Sequence, residues 1–212
     1  MSFLKHALNA IGLLSDIQLR RRWSVLAKWG WFRTFRTNMS IDRAGNPLPM
    51  LSYSAIDFLS ERVGPAMTVF EYGSGNGTLW WAAHVKRVVA VDHDRTWYDR
   101  LVPLVPRNVQ LLFVSLDDGD RYSQTSVATG ELFDVIVIDG RDRVRSARAA
   151  VHALKPDGVI IWDDMNREKY REGRVFLAER GFRIIPFTGI GPAGVEESGT
   201  VVFYRPNNCL GI

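Results

Sequence analysis

Apolar residues along the chain follow two periodicities that alternate from about residue 52 onward. Short runs of β-branched and aromatic residues are typical of strands buried on both faces, because such strands have no solvent-facing positions. Between these runs, apolar residues recur at helical spacing. Strands are predicted over residues 68–72, 87–91, 109–114, 133–138, 159–162, 182–187 and 200–204. Helices are predicted over residues 52–63, 78–85, 96–104, 145–154 and 167–180.

The order of these elements predicts an α/β fold. Strands that alternate with helices form a parallel sheet covered on both faces. The last two strands are joined by about a dozen residues rich in Gly and Pro, with no helix between them, which favours an antiparallel pair. We therefore expect a Rossmann-like, doubly wound, mostly parallel seven-stranded sheet with a C-terminal antiparallel hairpin.

The segment before the first strand has its own pattern. Leu4, Leu8 and Ile11 recur at helical spacing and predict an amphipathic helix over residues 3–28, followed by aromatic residues and a turn. We divide the chain into an N-terminal helical and aromatic extension or cap, residues 1–50, and a main domain, residues 51–212. The helix has two interpretations. It packs on the domain or on a second copy in a homodimer, or residues 1–28 contact an anionic membrane face peripherally.

Composition narrows the class of protein. The chain has 212 residues, 46% of them apolar, which suits one domain with a modest extension. A single cysteine, Cys209, cannot form a disulfide framework, which fits a reducing compartment. No apolar stretch approaches the roughly 20 residues that span a bilayer, and no signal-peptide cleavage pattern is evident. We expect a cytoplasmic protein, with the inner face of the membrane as a peripheral alternative. The net charge of +4 permits an anionic partner without requiring one.

The strongest chemical signal lies between the first predicted strand and the helix after it. There Glu71 is followed by Gly73, Gly75 and Gly77. Glycines let the backbone turn sharply and approach a ligand, and the start of a helix offers free N–H groups. Dinucleotide-binding turns have the spacing G-x-G-x-x-G, but Thr78 stands where the last glycine would be. The turn therefore predicts a ligand that is not a dinucleotide.

An acid follows at the distance that a nucleoside ligand requires. Asp92 lies nineteen residues after Gly73, at the end of the second predicted strand. A carboxylate in that place can accept hydrogen bonds from both ribose hydroxyls. Asp94 is the alternative for this role, and a solvated loop residue is the other interpretation of Asp92.

Together, the glycine turn, Asp92 and the closing hairpin resemble the class I S-adenosylmethionine-dependent methyltransferases, over roughly residues 65–205. The resemblance implies S-adenosylmethionine as the cofactor and methyl transfer as the reaction. It also implies that Glu71 lies beside the amino-acid end of the cofactor and that the adenine lies near Leu116 and Asp117. The predicted cofactor-binding residues are Glu71, Gly73, Ser74, Gly75, Gly77, Asp92, His93, Asp117 and Asp139.

Acidic residues also follow the fourth and fifth predicted strands, at the edge where ligands of open α/β sheets bind. They are Asp139, Asp163 and Asp164. Crowded carboxylates need a counter-charge, and hard divalent cations prefer oxygen ligands. The three are therefore candidate ligands of a magnesium ion. The alternative is pairing with the nearby arginines Arg141, Arg143 and Arg145.

The same segments resemble the metal-dependent O-methyltransferases of the catechol, caffeoyl-CoA and macrocin types, which implies methyl transfer to oxygen. In the catechol type a lysine base stands three residues after the strand-four acid, and Asp142 occupies that place here. The candidate catalytic residues are Asp139, Asp142 and His93, and the arginines are candidates for gripping a phosphate or carboxylate. The run from Tyr53 to Tyr98 resembles bacterial methyltransferases that accompany glycan- or lipid-modifying enzymes, which implies a small-molecule, sugar or lipid-linked acceptor.

Three other functions remain open. Residues 133–139 and 154–158 resemble spermidine synthases, which implies aminopropyl transfer, although that family's extra Gly-Asp-Gly element is missing. The pI of about 9.4 permits a nucleic-acid methyltransferase. Residues 139–142 nevertheless replace the Asn/Asp-Pro-Pro-aromatic motif of base-methylating enzymes, so nucleic acid is not the expected partner. The third is a non-catalytic cofactor-binding protein, against which the intact glycine turn argues.

Overall fold

The computed structural model of the chain describes residues 12–212. The strands are β1 (Thr68–Tyr72), β2 (Arg87–Asp92), β3 (Val109–Phe113), β4 (Phe133–Ile138), β5 (Leu154–Trp162), β6 (Arg183–Gly189) and β7 (Ser198–Tyr204). The helices of the extension are α1 (Leu13–Leu19), α2 (Val25–Trp29) and α3 (Trp31–Thr37). Those of the main domain are α4 (Tyr53–Ser60), α5 (Asn76–His84), α6 (Arg95–Leu101), α7 (Thr125–Ala128), α8 (Arg143–Ala153) and α9 (Arg171–Glu179).

The strands form one seven-stranded sheet in the order β3-β2-β1-β4-β5-β7-β6. Strands β1 to β5 are parallel, and β7 runs antiparallel to both β5 and β6. This confirms the predicted fold class, including the C-terminal hairpin. The direction of winding reverses between β1 and β4, whose ends lie side by side because Tyr72 pairs with Ile138. Such a reversal opens a crevice at the carboxyl ends of the two strands.

Alternate side chains of the central strands fill two cores, one on each face of the sheet. All six residues of β4 are buried. Ile136 and Ile138 join the core beneath α8 and α9, whereas Val135 and Val137 join the core beneath α4 and α5. Each fully buried aliphatic side chain contributes about 1.5–3 kcal/mol. This two-sided burial explains why the strand sequences lack polar alternation.

The predicted amphipathic helix over residues 3–28 is wrong in its described part, while residues 3–11 lie outside the described residues. A turn at residues 20–24 separates α1 from α2. Ser24 starts α2 anew, because its hydroxyl accepts a hydrogen bond from the backbone N–H of Ala27 at 3.2 Å. The apolar periodicity extends across this interruption and therefore hides it.

The described part of the extension packs on the main domain. The ring of Trp29 stacks on Tyr53 at 4.5 Å between centroids. The indole N–H of Trp31 donates a hydrogen bond to the carbonyl of Gly194 at 2.8 Å. These contacts hold α2 and α3 against elements from both ends of the main domain. Between residues 12 and 212, no helix combines the length and apolarity needed to cross a membrane.

Candidate functional site

A cavity of about 630 Å³ opens where the sheet reverses, at the carboxyl ends of β1 and β4. Its walls come from the glycine turn between β1 and α5, the end of β2, and the loops after β4 and β5. The extension closes a further side through residues 38–40 and 49–50, together with Leu51 at the start of the main domain. Of the predicted site residues, those in the walls are Glu71, Gly73, Ser74, Gly75, Gly77, Asp92, His93, Asp139 and Asp164.

Glycines allow backbone to approach backbone at the floor of the cavity. Gly73 has a φ of 90°, and a Cβ there would lie 3.0 Å from the backbone nitrogen of Gly140. A Cβ on Gly140 would lie 2.1 Å from the hydroxyl of Tyr122. Neither Gly140 nor Tyr122 was predicted. Only the packing of the loop after β4 against the glycine turn reveals them.

Glu71 is a buried carboxyl at the base of the glycine turn. It accepts a hydrogen bond from the hydroxyl of Thr78, and a Cβ on Gly77 would lie 2.7 Å from its Oε1. Burial raises the pKa of Glu71 to about 8 despite the Thr78 hydrogen bond, and the negative charges of Asp139 and Asp92 add to the rise. The group is therefore mostly protonated at neutral pH unless a cation enters the cavity.

Asp92 organises the opposite side of the turn. Its Oδ2 accepts hydrogen bonds from the backbone nitrogen and the hydroxyl of Ser74, at 2.9 and 2.7 Å. Its Oδ1 accepts from the backbone nitrogens of His93 and Asp94, at 2.8 and 3.0 Å. The Ser74 hydroxyl can rotate away, so this bond is the one that a ligand hydroxyl could replace. Asp94 instead caps α6 by accepting from the backbone nitrogen of Trp97 at 3.0 Å.

Two aromatic side chains stand beside this carboxylate. The His93 Nδ1 lies 3.4 Å from Asp92 Oδ1, and the ring meets Tyr122 edge to face at 6.0 Å. The indole N–H of Trp97 donates to the carbonyl of Ser74 at 2.7 Å, and a Cβ on Gly75 would lie 3.5 Å from the Trp97 ring. Trp97 was not among the predicted site residues. It gives the cavity an apolar wall on the β2 side.

Arg143 lies among the carboxylates that follow β4 and β5. Its guanidinium pairs with Asp139 at 3.0 Å and with Asp164 at 3.4 Å, and it donates to the carbonyl oxygens of Gly140 and Asp163. Arg167 adds a second pairing to Asp164 at 2.9 Å. Burial and the charge of Asp163 nevertheless keep the pKa of Asp139 well above its ordinary value. The cluster is therefore an arginine-centred ion network with one carboxyl biased toward its neutral form.

The three predicted magnesium ligands are each engaged by another group of the protein. Asp163 accepts a hydrogen bond from the Thr200 hydroxyl at 2.8 Å and is not part of the cavity wall, while Asp139 and Asp164 share Arg143. Within residues 12–212, no three His, Cys, Asp or Glu side chains are placed to hold a metal ion. The counter-charge comes from an arginine, which was the stated alternative to the cation.

Two further predicted residues lie outside the cavity wall. Asp142 has a φ of 50° at the start of α8, and its carboxylate pairs with Arg145 at 2.8 Å. Asp117 is exposed in a single 3-10 turn, Leu116–Asp118, held by a hydrogen bond to Ser115. The loop after β3 therefore leaves Asp117 exposed to solvent, and Asp142 pairs with Arg145 instead of lining the cavity.

No sequence motif indicated that the extension covers one side of the cavity. The side-chain amide of Asn76, in the first turn of α5, donates to the carbonyl of Ser40 at 2.6 Å. Asp42 shapes the same loop by accepting from the backbone nitrogens of Gly45 and Asn46, at 2.7 and 2.8 Å. The turn residues Gly45 and Asn46 indicated a loop in the sequence, but nothing indicated what that loop covers.

Comparison with known proteins finds similarity in structure alone. No protein-family model matches the sequence, and no curated protein matches it. Precorrin-6y C5,15-methyltransferase from Geobacter metallireducens matches with a TM-score of 0.55 and 16% identity, over 70% of this chain and 86% of that chain. An rRNA methylase from Streptococcus thermophilus gives 0.53 and 18%, over 72% and 95%. The N-methyltransferase NodS from Bradyrhizobium japonicum gives 0.51 and 18%, over 71% and 93%.

Proposed function

Since the chain has the fold of the class I S-adenosylmethionine-dependent methyltransferases, we propose that it is an enzyme of that kind. Its cofactor is S-adenosylmethionine, and it methylates an oxygen of a small-molecule, sugar or lipid-linked acceptor. The observation that carries the proposal is the cavity at the reversal of the sheet, where the glycine turn holds buried Glu71 on one side and Asp92 on the other.

The cavity suits a nucleoside with a cationic amino-acid tail. Glu71 is the one buried carboxyl of the glycine turn, and a neighbouring ammonium would favour its ionised form. Asp92 would exchange its hydrogen bond from the Ser74 hydroxyl for one from a ribose hydroxyl. The Trp97 ring offers an apolar wall for the flat part of a nucleoside. These contacts require no third glycine, which fits the departure from the dinucleotide pattern.

The acceptor side of the cavity holds a base and free positive charge. When bound, the cofactor supplies a methyl group already activated as a sulfonium. Methyl transfer would break the cofactor's C–S bond as the acceptor oxygen bonds to carbon, leaving the neutral thioether. The ionised form of Asp139, fixed by Arg143, would take the hydroxyl proton, and burial favours that protonation because it raises the pKa of Asp139. Arg141 lines the cavity without a carboxylate partner in the described part of the chain, so we assign it to an anionic group of the acceptor.

Cofactor binding gives the first test. S-adenosylmethionine and S-adenosylhomocysteine should each raise the melting temperature, while NAD should not. Gly75→Phe should abolish both shifts yet keep the fold, because Gly75 has an extended backbone and only the Trp97 ring opposite it. Gly64→Phe is the matched control, since nothing lies within 4 Å of a Cβ there. Equal stabilisation by NAD, or full binding by Gly75→Phe, would contradict the assignment.

Asp92→Ala should weaken the binding of S-adenosylhomocysteine by about 1.5–3 kcal/mol, measured by calorimetry, because charge-assisted hydrogen bonds to the ribose are lost. Asp94→Ala is the comparison, since Asp94 is engaged in capping α6. It should alter stability more than affinity. Unchanged affinity in Asp92→Ala together with weakened affinity in Asp94→Ala would transfer the ribose contact to Asp94.

The acceptor and the need for a cation are tested by turnover of labelled S-adenosylmethionine with cell extract. Mass analysis of the labelled product identifies the methylated atom, and a parallel reaction with total RNA is included because one structural neighbour is an rRNA methylase. Pairing of Asp139 and Asp164 with Arg143 supports a reaction indifferent to EDTA. Loss of turnover in EDTA, restored by magnesium, would return the metal to the site.

A further inference from the structure

The N-terminal extension holds the excess positive charge of the chain. Residues 12–50 contain seven Lys and Arg but two Asp, a formal charge of +5, whereas the whole chain has +4. Within residues 12–212, none of these seven cations forms a salt bridge. They are Arg20, Arg21, Arg22, Lys28, Arg33, Arg36 and Arg43. The positive charge of residues 12–50 is therefore not neutralised by salt bridges, whereas many charged side chains of the main domain are paired.

The same extension exposes large apolar side chains at high density. Eight that are at least 40% exposed fall within residues 12–50, whereas residues 51–212 hold nine. Trp23 is 58% exposed and Phe35 50% exposed, and the aliphatic side chains of Leu13 and Ile17 are 46% and 40% exposed. Concentrated exposed apolar surface marks an interaction site for a protein or a membrane.

Arginines and aromatic rings together line a second cavity, of about 700 Å³, within the extension. The rings belong to Trp31, Phe32 and Phe35. The guanidinium of Arg20 lies 5.2 Å from the centre of the Phe32 ring. Arginine can lay its stem on apolar surface and keep its head at a polar boundary. The other arginines of this wall are Arg22, Arg33, Arg36 and Arg43.

We propose that residues 12–50 form a docking surface for an anionic phospholipid bilayer. The arginines would contact headgroup phosphates, and Trp23 and Phe35 would enter the boundary with the acyl chains. Bulky aliphatic side chains such as Ile17 gain little on RNA, where phosphates and stacked bases are the binding groups. A second copy of the chain would bring one surface of charge +5 against another, which is repulsive.

This docking surface adjoins the cavity at the carboxyl ends of β1 and β4, called the cofactor cavity below. Helix α3 lines the arginine-rich cavity, and residues 38–40, which follow it directly, line the cofactor cavity. Met39 and Met50 are half exposed and also line the cofactor cavity. Docking would therefore hold that cavity near the headgroups, which suits the lipid-linked acceptor of the proposed function. Docking depends on the charge and the exposed apolar area of residues 12–50, and it does not require the proposed methyltransferase activity.

Flotation of the full chain with vesicles tests the proposal. Partition onto vesicles with a third of phosphatidylglycerol should exceed that onto pure phosphatidylcholine at least ~100-fold and fall steeply with salt. The combined change Arg20→Glu, Arg21→Glu and Arg22→Glu should lower this partition at least ~100-fold, since each basic residue contributes about a factor of five. Trp23→Ser should lower it about tenfold, because its exposed ring leaves the apolar boundary.

Matched changes in the main domain provide the controls. Arg100→Glu, Arg107→Glu and Arg183→Glu remove the same charge from exposed positions, and Ile184→Ser removes exposed apolar surface. Partition should survive both, with all variants melting like the parent. Equal losses in these controls, equal binding to both vesicle types, or tighter salt-sensitive binding to RNA would overturn the proposal. Flotation needs no methyl donor, so failure here leaves the methyltransferase assignment standing, and failed cofactor binding leaves the docking surface standing.

Discussion

Arg143→Ala should lower the free energy of unfolding by about 3–5 kcal/mol, because it removes the counter-charge of part-buried Asp139 and leaves two backbone carbonyls without their donor. The Arg143 side chain is 9% exposed and reaches both Asp139 and Asp164. Burial also raises the pKa of Asp163 to about 6. Protonation of Asp139 and Asp163 can relieve part of the repulsion, so the loss should be larger at pH 8 than at pH 5.5. Urea unfolding at the two pH values measures it.

Arg145→Ala is the matched control, since Arg145 lies in the first turn of the same helix and pairs with Asp142 and Asp120 at an exposed position. Its stability should stay close to that of the parent. Adding Asp139→Asn to Arg143→Ala should restore part of the lost stability, because one uncompensated charge disappears. If Arg143→Ala unfolds no more easily than Arg145→Ala, or if magnesium raises the melting temperature of the parent by several degrees, the arginine-centred network is not what neutralises the cluster.

The sheet was predictable because strands buried on both faces consist almost entirely of apolar residues. Strand β4 is apolar throughout apart from Asp134, and that residue pairs with Lys155 at 2.8 Å at the far end of the strand. Glycines and acids at strand ends then located the ligand side, since parallel strands present their carboxyl ends at one edge. For this reason three of the predicted site residues lie in the cavity wall: Glu71, Asp92 and Asp139.

The rest depended on tertiary contacts that have no local signature. The carboxylate of Asp163 accepts a hydrogen bond from Thr200 instead of lining the cavity. Thr200 comes from β7 and lies 37 residues later in the chain. The Thr200 hydroxyl also accepts a hydrogen bond from the backbone nitrogen of Ser52, just after the extension, at 3.0 Å. The position of Asp117 depends on the direction of a short turn after β3, and hydrophobic periodicity does not predict that direction. The loop over the cavity was foreseen as a cap without any indication of which residues it touches.

Glu71 should make cofactor affinity depend on pH. Without a ligand its pKa is about 8, against an ordinary value of 4.5, so the native state holds an extra proton between these values and its stability falls as pH rises through them. An ammonium beside the carboxyl favours the ionised form, so binding below pH 8 releases that proton. Affinity for S-adenosylhomocysteine should therefore rise up to about tenfold per pH unit between pH 6.0 and 7.5, a range in which the ligand ammonium remains protonated.

Glu71→Gln isolates this effect, because the amide keeps the shape of the carboxyl and cannot ionise. The variant should bind S-adenosylhomocysteine more weakly than the parent at pH 7.5, with an affinity nearly independent of pH. It should also be more stable than the parent at pH 8 in the absence of ligand, because the cost of a buried charge is gone. Adenosine carries no ammonium, so its affinity should show no such slope in either protein. Calorimetry in buffers of different ionisation enthalpy counts the released protons directly. A parent and variant with the same pH slope would show that Glu71 does not face the amino-acid end of the cofactor.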